Sequence, residues 1–153
     1  MAELSRAEPG DADAIADLVQ RAYAHYPERI GVRPAPMDAD YAAAVRENEV
    51  WVAERGEAIV GVVVLRHDAG HAFVDNVAVA PDAQGEGLGG RLLALAESRA
   101  AAAGHAEVRL LTNELMHENR AMYQHLGWRQ TELRREHGFS RVYFAKALGR
   151  AGP

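Results

Sequence analysis

The 153-residue sequence contains no cysteine. That excludes disulfides, zinc–thiolate sites and a cysteine nucleophile. Serine is scarce too: Ser5, Ser98 and Ser140 are the only ones, and none sits in a Gly-x-Ser-x-Gly setting. A covalent serine route therefore lacks its usual frame. No basic block is present and the net charge is −5, so nucleic acid as a partner finds no electrostatic footprint. No long apolar span occurs, and the first ten residues carry Glu3, Arg6, Glu8 and Pro9, unlike a secretory signal. The expectation is a cytoplasmic protein without a membrane partner. No repeat or linker divides the chain. With 48% hydrophobic and 25% charged residues, residues 1–153 read as one globular domain.

The most informative stretch runs from His71 to Ala103. Phe73 to Ala80 is an apolar run that reads as a buried strand. Pro81-Asp82 turns the chain, and Gln84-Gly85-Glu86-Gly87-Leu88-Gly89-Gly90 opens straight into a helix. Glycine lets a backbone turn without a Cβ clash. The first N–H groups of a helix have no internal partner, and the helix dipole adds partial positive charge there. Strand, glycine loop and helix start thus form a cradle suited to a pyrophosphate. The alternative is a tight turn that needs glycine only for packing, although four glycines between positions 85 and 90 exceed what a turn requires.

The rest of the chain alternates strands and helices. Leu4–Ala7 is a short strand. Asp11 is placed to cap a helix whose inner face is Ile15, Leu18, Val19 and Ala22. That helix should end near Tyr26, because proline at 27 disfavours helix at the residue before it. Tyr26–Met37, with Pro34 and Pro36, reads as an extended loop, either a connector or the wall of a binding site. Asp38 is placed as the cap of a second helix, Ala39–Glu47. Val50–Glu54 and Ala58–Arg66 make a hairpin, the latter apolar enough for burial on both faces. The helix after the glycine loop presents Leu88, Leu92, Leu95 and Ala96 to one side and ends at Gly104. Ala106–Thr112 is the next strand, so a right-handed crossover and a parallel pair follow. Asn119 caps or opens a short helix to His125, closed by Gly127. Arg129–Arg135 and Arg141–Lys146 form a last hairpin around His137-Gly138-Phe139.

Three ligand readings compete for the loop. A P-loop needs Gly-Lys-Ser/Thr, and here Arg91 and Leu92 follow Gly90, so it fails. Gly85, Gly87 and Gly90 formally spell the dinucleotide fingerprint G-x-G-x-x-G, the basis of an NAD(P)-dependent oxidoreductase reading. Four residues separate that fingerprint from the strand, however, and the next strand ends in Thr112-Asn113 rather than a carboxylate. The third reading is Gln/Arg-x-x-Gly-x-Gly/Ala, filled by Gln84, Gly87 and Gly89 behind Val77-Ala78-Val79-Ala80-Pro81. This resembles the pyrophosphate-binding motif of the GNAT N-acetyltransferase superfamily, which uses acetyl-CoA. Asn119-Arg120-Ala121-Met122-Tyr123-Gln124-His125-Leu126-Gly127-Trp128 is similar to a second motif of that family, Asn-x-x-x-Tyr-x-x-x-Gly-Phe/Trp, and Tyr143–Leu148 to its last strand.

The resemblance spans essentially the whole chain and implies the family's α/β fold. That fold is a twisted mixed sheet splayed between its fourth and fifth strands, flanked by about four helices, with acetyl-CoA in the splay. It implies that the main chain of Val77, Ala78 and Val79 pairs with the pantetheine arm. It further implies that the amides of Gln84, Gly85, Glu86, Gly87, Leu88, Gly89 and Gly90 hold the pyrophosphate. Asn119 would bond the pantetheine, and a backbone amide near Val77 would polarise the thioester carbonyl. In a helix Asn119 and Tyr123 are one turn apart on one face. Tyr123 would place its hydroxyl near the sulfur, where a phenol (pKa ~10) can protonate the departing thiolate, although the thiol formed (~8.5) is the stronger acid. The expected activity is direct transfer of acetyl from acetyl-CoA to a primary amine in a ternary complex, the alternative being a non-catalytic acyl-CoA-binding module.

The general base is less clear from sequence. The family's strand glutamate aligns with Phe73, which cannot serve. Asp75 lies two residues on, facing the same way if the strand is regular, and a water relay is an equal alternative. His67 and His71 flank a turn without a third ligand, so no metal is expected. The Tyr26–Met37 loop and the Glu136–Ser140 turn are expected to frame the amine acceptor, a small molecule or a peptide. The chain's acidity leans slightly towards cationic amines. A homodimer is common in the family, though no stretch demands it.

Overall fold

The structure, a computed structural model, describes residues 2–31, 33–136 and 138–149. Val32 and His137, parts of the two segments expected to frame the acceptor, lie outside the described residues. Seven strands form one mixed sheet: β1 (Glu3–Arg6), β2 (Glu49–Arg55), β3 (Ala58–His67), β4 (Ala72–Val79), β5 (Glu107–Asn113), β6 (Arg129–Glu136) and β7 (Phe139–Ala147). Their order is β1-β2-β3-β4-β5-β7-β6. Only β4 and β5 run parallel, and every other neighbouring pair is antiparallel. The doubly wound parallel sheet that a dinucleotide fingerprint requires is therefore not formed.

Five α-helices flank the sheet: α1 (Ala12–Ala22), α2 (Tyr26–Ile30), α3 (Tyr41–Glu47), α4 (Leu88–Ala102) and α5 (His117–His125). Both α1 and α4 pack against β3 and β4. Since β3 is buried from Val60 to Leu65, the two helices must cover opposite faces. Gly61 lets α4 lie close, because a Cβ there would come within 2.9 Å of Leu92 Cδ1. The α4 helix ends as the sequence suggests. Gly104 adopts φ +91°, its N–H bonds the Ala101 carbonyl, and the His105 N–H bonds that of Ala100. The α5 helix closes the same way at Gly127, with the Trp128 N–H on the Tyr123 carbonyl.

Three boundaries differ from the sequence reading. The α1 helix stops at Ala22, and Pro27 takes the second position of a new short helix, where a missing N–H costs nothing. The cap of α3 is Asp40 rather than Asp38; its Oδ1 accepts the Ala43 N–H at 3.0 Å, while Asp38 pairs with Arg33. The α5 helix begins at His117, which places Asn119 inside the first turn and not at the cap. The last two strands pair as a hairpin, but it is β7 that joins β5, leaving β6 as an exposed edge.

The feature that positions the site is a break between β4 and β5. They pair only over Ala72–Val74 and Val108–Leu110, and then part. The same stretch of β4 carries a bulge. Val64 faces Asn76 and Leu65 faces Val74, so Asp75 is an extra residue with no partner on β3. The strand is not regular there, yet Asp75 still stands beside Phe73, since the Arg66 guanidinium meets both.

Candidate active site

Two cavities meet where the strands part. The first has a volume of about 620 Å³. Val77, Ala78 and Val79 of β4 form one wall, and Gln84, Gly85 and Gly87 of the loop form another. Leu88, Gly89 and Gly90 at the start of α4 close the end. Glu86, expected with them, does not line it; its carboxylate turns outward to Arg55. The second cavity, about 410 Å³, lies towards α2, β5 and β7. Tyr123 and Asp75 line this second chamber, and Tyr23, Val77 and Asn119 line both.

The loop glycines do two different jobs. Gly85 and Gly87 have φ of +83° and +79°, a region that L side chains rarely adopt. Gly89 and Gly90 are helical; a Cβ on Gly89 would crowd Met122 Sδ of α5 at 3.2 Å, whereas one on Gly90 would make only ordinary contact with Leu126 at 3.6 Å. Packing thus accounts for Gly89, and backbone turning for Gly85 and Gly87. No side chain caps α4 and its first turn holds no acid. The leading amides and the positive end of the dipole are left to an anion in the first chamber. Gln84 folds back, donating from Nε2 to the Val79 carbonyl at 3.1 Å.

Tyr123 is buried, its ring tilted against Phe144 and Trp128 at centroid distances of 5.5 and 6.2 Å. Burial, with the Tyr26 phenol adding to it, pushes the Tyr123 hydroxyl well above the usual phenol range. It keeps its proton at neutral pH and so has an O–H to donate. Asn119 Nδ2 has just a long contact to Met116 Sδ, 3.9 Å, so its amide is available to the chamber. Burial pushes the Asp75 carboxyl up, opposed by Arg66, whose Nη1 lies 2.5 Å from Oδ1. A raised carboxylate pKa makes a stronger base.

Sequence reasoning missed a buried chain of polar groups that fixes this part of β4. The Tyr23 hydroxyl donates to Asn76 Oδ1 at 2.6 Å, with a longer approach to the Val77 carbonyl at 3.2 Å. Asn76 Nδ2 donates to the Tyr41 hydroxyl at 3.0 Å, and that hydroxyl donates to the Pro36 carbonyl at 2.6 Å. Every donor in the chain has an acceptor, so α1, β4, α3 and the Pro36 turn are locked together without an orphaned group. Burial pushes the Tyr41 phenol up to about 12 despite the Asn76 bond. The one clue in the sequence was Asp75-Asn76, two polar residues in a row inside an otherwise apolar strand.

Across the mouth of the first chamber, Glu118 of α5 holds Arg29 of α2 at 2.6 Å and accepts the Tyr26 hydroxyl at 3.3 Å. The hydrogen bond from Arg29 holds the Glu118 carboxyl down at about 2. The histidines weighed as a metal pair do something else. His67 bonds Glu49 through Nε2 and His105 through Nδ1, both at 3.0 Å. Among the described residues no group of His, Cys, Asp and Glu could hold a metal, and no helix is long and apolar enough to cross a membrane.

A profile of the acetyltransferase (GNAT) domain matches residues 46–130, more than half the chain, so this protein belongs to the GNAT acetyltransferase family. No curated protein matches it in sequence. Its fold is that of many solved structures. One is the ribosomal-protein-S18-alanine N-acetyltransferase of Escherichia coli, 21% identical over 99% of this chain and 97% of that one, with a TM-score of 0.81. Another is the PaiA N-acetyltransferase of Thermoplasma acidophilum in complex with coenzyme A, 13% identical over 94% and 98%, TM-score 0.80. A third is a GNAT family acetyltransferase from Elizabethkingia anophelis with acetyl-CoA bound, 20% identical over 96% and 98%, TM-score 0.71.

Proposed function

We propose that the protein transfers an acetyl group from acetyl-CoA to a primary amine by direct attack within a ternary complex. The observation that carries this reading is the junction of two chambers at Val77 and Asn119, one lined by unpaired helix amides and the other by Tyr123 and Asp75. Two of the neighbours above hold coenzyme A or acetyl-CoA, which supports the same class of cosubstrate here. The residues fit it: the uncapped start of α4 suits a diphosphate, and the edge of β4 beyond Val74 lacks a strand partner on the β5 side. When bound, acetyl-CoA supplies an activated thioester.

The chain's own groups have separate tasks in this reading. The amides at 85–90 hold the anionic end and the Val77–Val79 backbone aligns the arm. The Asn119 amide bonds the arm where the chambers meet. A main-chain N–H near Val77 polarises the acetyl carbonyl. Asp75, its basicity raised by burial, takes a proton from the incoming ammonium, directly or through a water. The Tyr123 hydroxyl donates to the departing sulfur. A module that only bound acyl-CoA would have no use for a phenol and a carboxylate in the second chamber.

Calorimetry with acetyl-CoA, followed by thiol release with a panel of amines, tests the reading. Tight binding and amine-dependent thiol release are expected. Binding without release for any amine would leave only the binding module. Thermal stabilisation by NADH but not by acetyl-CoA would overturn both.

A further inference from the structure

Three arginines, Arg33, Arg66 and Arg141, line the second chamber, with Asp75 as its only carboxylate among the described residues. Its charge therefore runs opposite to that of the chain, whose net acidity had leaned towards cationic acceptors. Two of these arginines are already committed. Arg66 is held by Asp68 at 2.9 Å and by Asp75 at 2.5 Å. Arg33 is held by Asp38 at 3.0 Å and by Gln20 Oε1 at 3.1 Å.

Arg141 is different. Its nearest carboxylate among the described residues is Glu136, at 3.7 Å, too far for a hydrogen bond. Glu136 is also shared with Arg134, at the same distance. Arg134 pairs directly opposite Arg141 on the neighbouring strand but is itself held by Glu132 at 2.7 Å, so of the two it is Arg141 that has only the distant Glu136 within reach among the described residues. The Arg141 side chain is 32% exposed, and its guanidinium lies 5.2 Å from the Phe139 ring centroid. A face-on aromatic contact holds the planar fork without using its N–H donors. Those donors match a carboxylate in two-point fashion.

Much of the remaining wall is apolar, with Ile30, Pro34, Pro36, Phe73, Leu111 and Phe139, although Asn113 and Asn119 also line it. Its volume of about 410 Å³ suits a small molecule. We infer that the acceptor is a free amino acid with an apolar side chain, its carboxylate received by Arg141 and its amine directed towards Asp75 and Tyr123. The inference rests on the acetyltransferase reading, since it names the substrate class of that same site. Arg141 acts as a specificity residue that does not take part in the chemistry.

The test uses matched pairs that differ only by the carboxylate: phenylalanine against 2-phenylethylamine, leucine against 3-methylbutylamine, and 6-aminohexanoate against pentylamine. Thiol release is followed for the wild type, Arg141→Gln and Arg141→Lys. In the wild type the carboxylated member of at least one pair should have the higher kcat/KM, by about tenfold or more, equivalent to ~1.4 kcal/mol. Arg141→Gln should collapse that ratio towards one, chiefly through KM, and Arg141→Lys should recover part of it. Equal or inverted ratios in the wild type overturn the inference. So does an Arg141→Gln variant that lowers both members alike, which would mark a structural role, or a preference for phosphoethanolamine over every carboxylated amine.

Binding separates the two levels of failure. If acetyl-CoA binds but no carboxylated amine turns over and no N-acetylated amino acid binds the CoA complex, the inference falls and the reading of the first chamber stands. If acetyl-CoA itself fails to bind, the transferase reading falls first and the inference with it.

Discussion

The two chambers are walled by different parts of the chain. At one end of the first, while side chains such as Tyr26, Glu118 and Asn119 line the rest, the open polar groups are backbone: the amides at the start of α4 beside the turning glycines and the edge of β4. Around the second they are side chains, among them Arg66, Asp75, Asn113, Tyr123 and Arg141, carried by five separate elements. Main-chain groups can grip only what every chain offers them, an anion or a strand-like arm. Side chains can tell one small molecule from another. The first chamber therefore suits a ligand common to many proteins, and the second a ligand particular to this one.

Substitutions should divide along the same line. The largest effect belongs to the second chamber. Tyr123→Phe keeps the ring against Phe144 and Trp128 but removes the proton donor, so kcat should fall by about 100-fold or more. Calorimetric affinity for acetyl-CoA should stay within about twofold, well under 1 kcal/mol. Unchanged turnover would remove Tyr123 from the chemistry. In the first chamber the pattern reverses. Gly87→Ala forces a side chain into φ +79°, at roughly 1–2 kcal/mol, and should raise the Kd for acetyl-CoA about tenfold, with a smaller change in kcat at saturation. Unaltered affinity would count against the loop as the anion cradle.

The next effect bears on the wall both chambers share. Asn76→Ala leaves the Tyr23 hydroxyl only its longer approach to the Val77 carbonyl and takes from the Tyr41 hydroxyl the donor it accepts; it should destabilise by about 1–3 kcal/mol, read as a lower Tm, while loosening β4 enough to raise KM for both substrates. A stability loss with both KM values intact would show that the polar chain serves the fold alone.

The smallest effect on function should come from the far end of the sheet, which serves as the control. Burial pushes the Glu49 carboxyl up, but hydrogen bonds from Arg99, Trp51 and His67 outweigh it and bring the pKa down to about 2 from an ordinary 4.5. Its folded pKa is the lower one. Its contribution is therefore complete above about pH 4.5 and is lost as pH falls through about 2. The Tm difference between wild type and Glu49→Gln should shrink across that window, with neither KM changed at neutral pH. A difference that persists at pH 2 would mean that the carboxylate is not held by charge.

The same contrast explains what could be read from the sequence. The glycine loop, the parallel crossover and the αL glycine at 127 were legible because backbone geometry imposes short, local signatures. The order β5-β7-β6 was not, since which strand of a hairpin faces the sheet depends on distant packing. The bulge at Asp75 was also hidden, because register is a property of two strands and the sequence displays one at a time. Arg33, Arg66 and Arg141 are scattered over more than a hundred positions, and no spacing rule gathers them. The shared helical turn of Asn119 and Tyr123 was legible too, and both line the second chamber. That the Glu86 carboxylate turns away to Arg55 was not legible, though the expectation for this loop concerned its amides and not that side chain.

The short agreement between β4 and β5 has a further consequence. A sheet normally protects its amides by giving each a partner, and here the protection stops after Val74 on that side. Empty, the molecule is a weave with one thread missing, and the entering arm would be that thread. Deuterium uptake at Val77 to Val79 should then report cosubstrate directly: quick when the thread is absent, slow once it is drawn in, and indifferent to the amine.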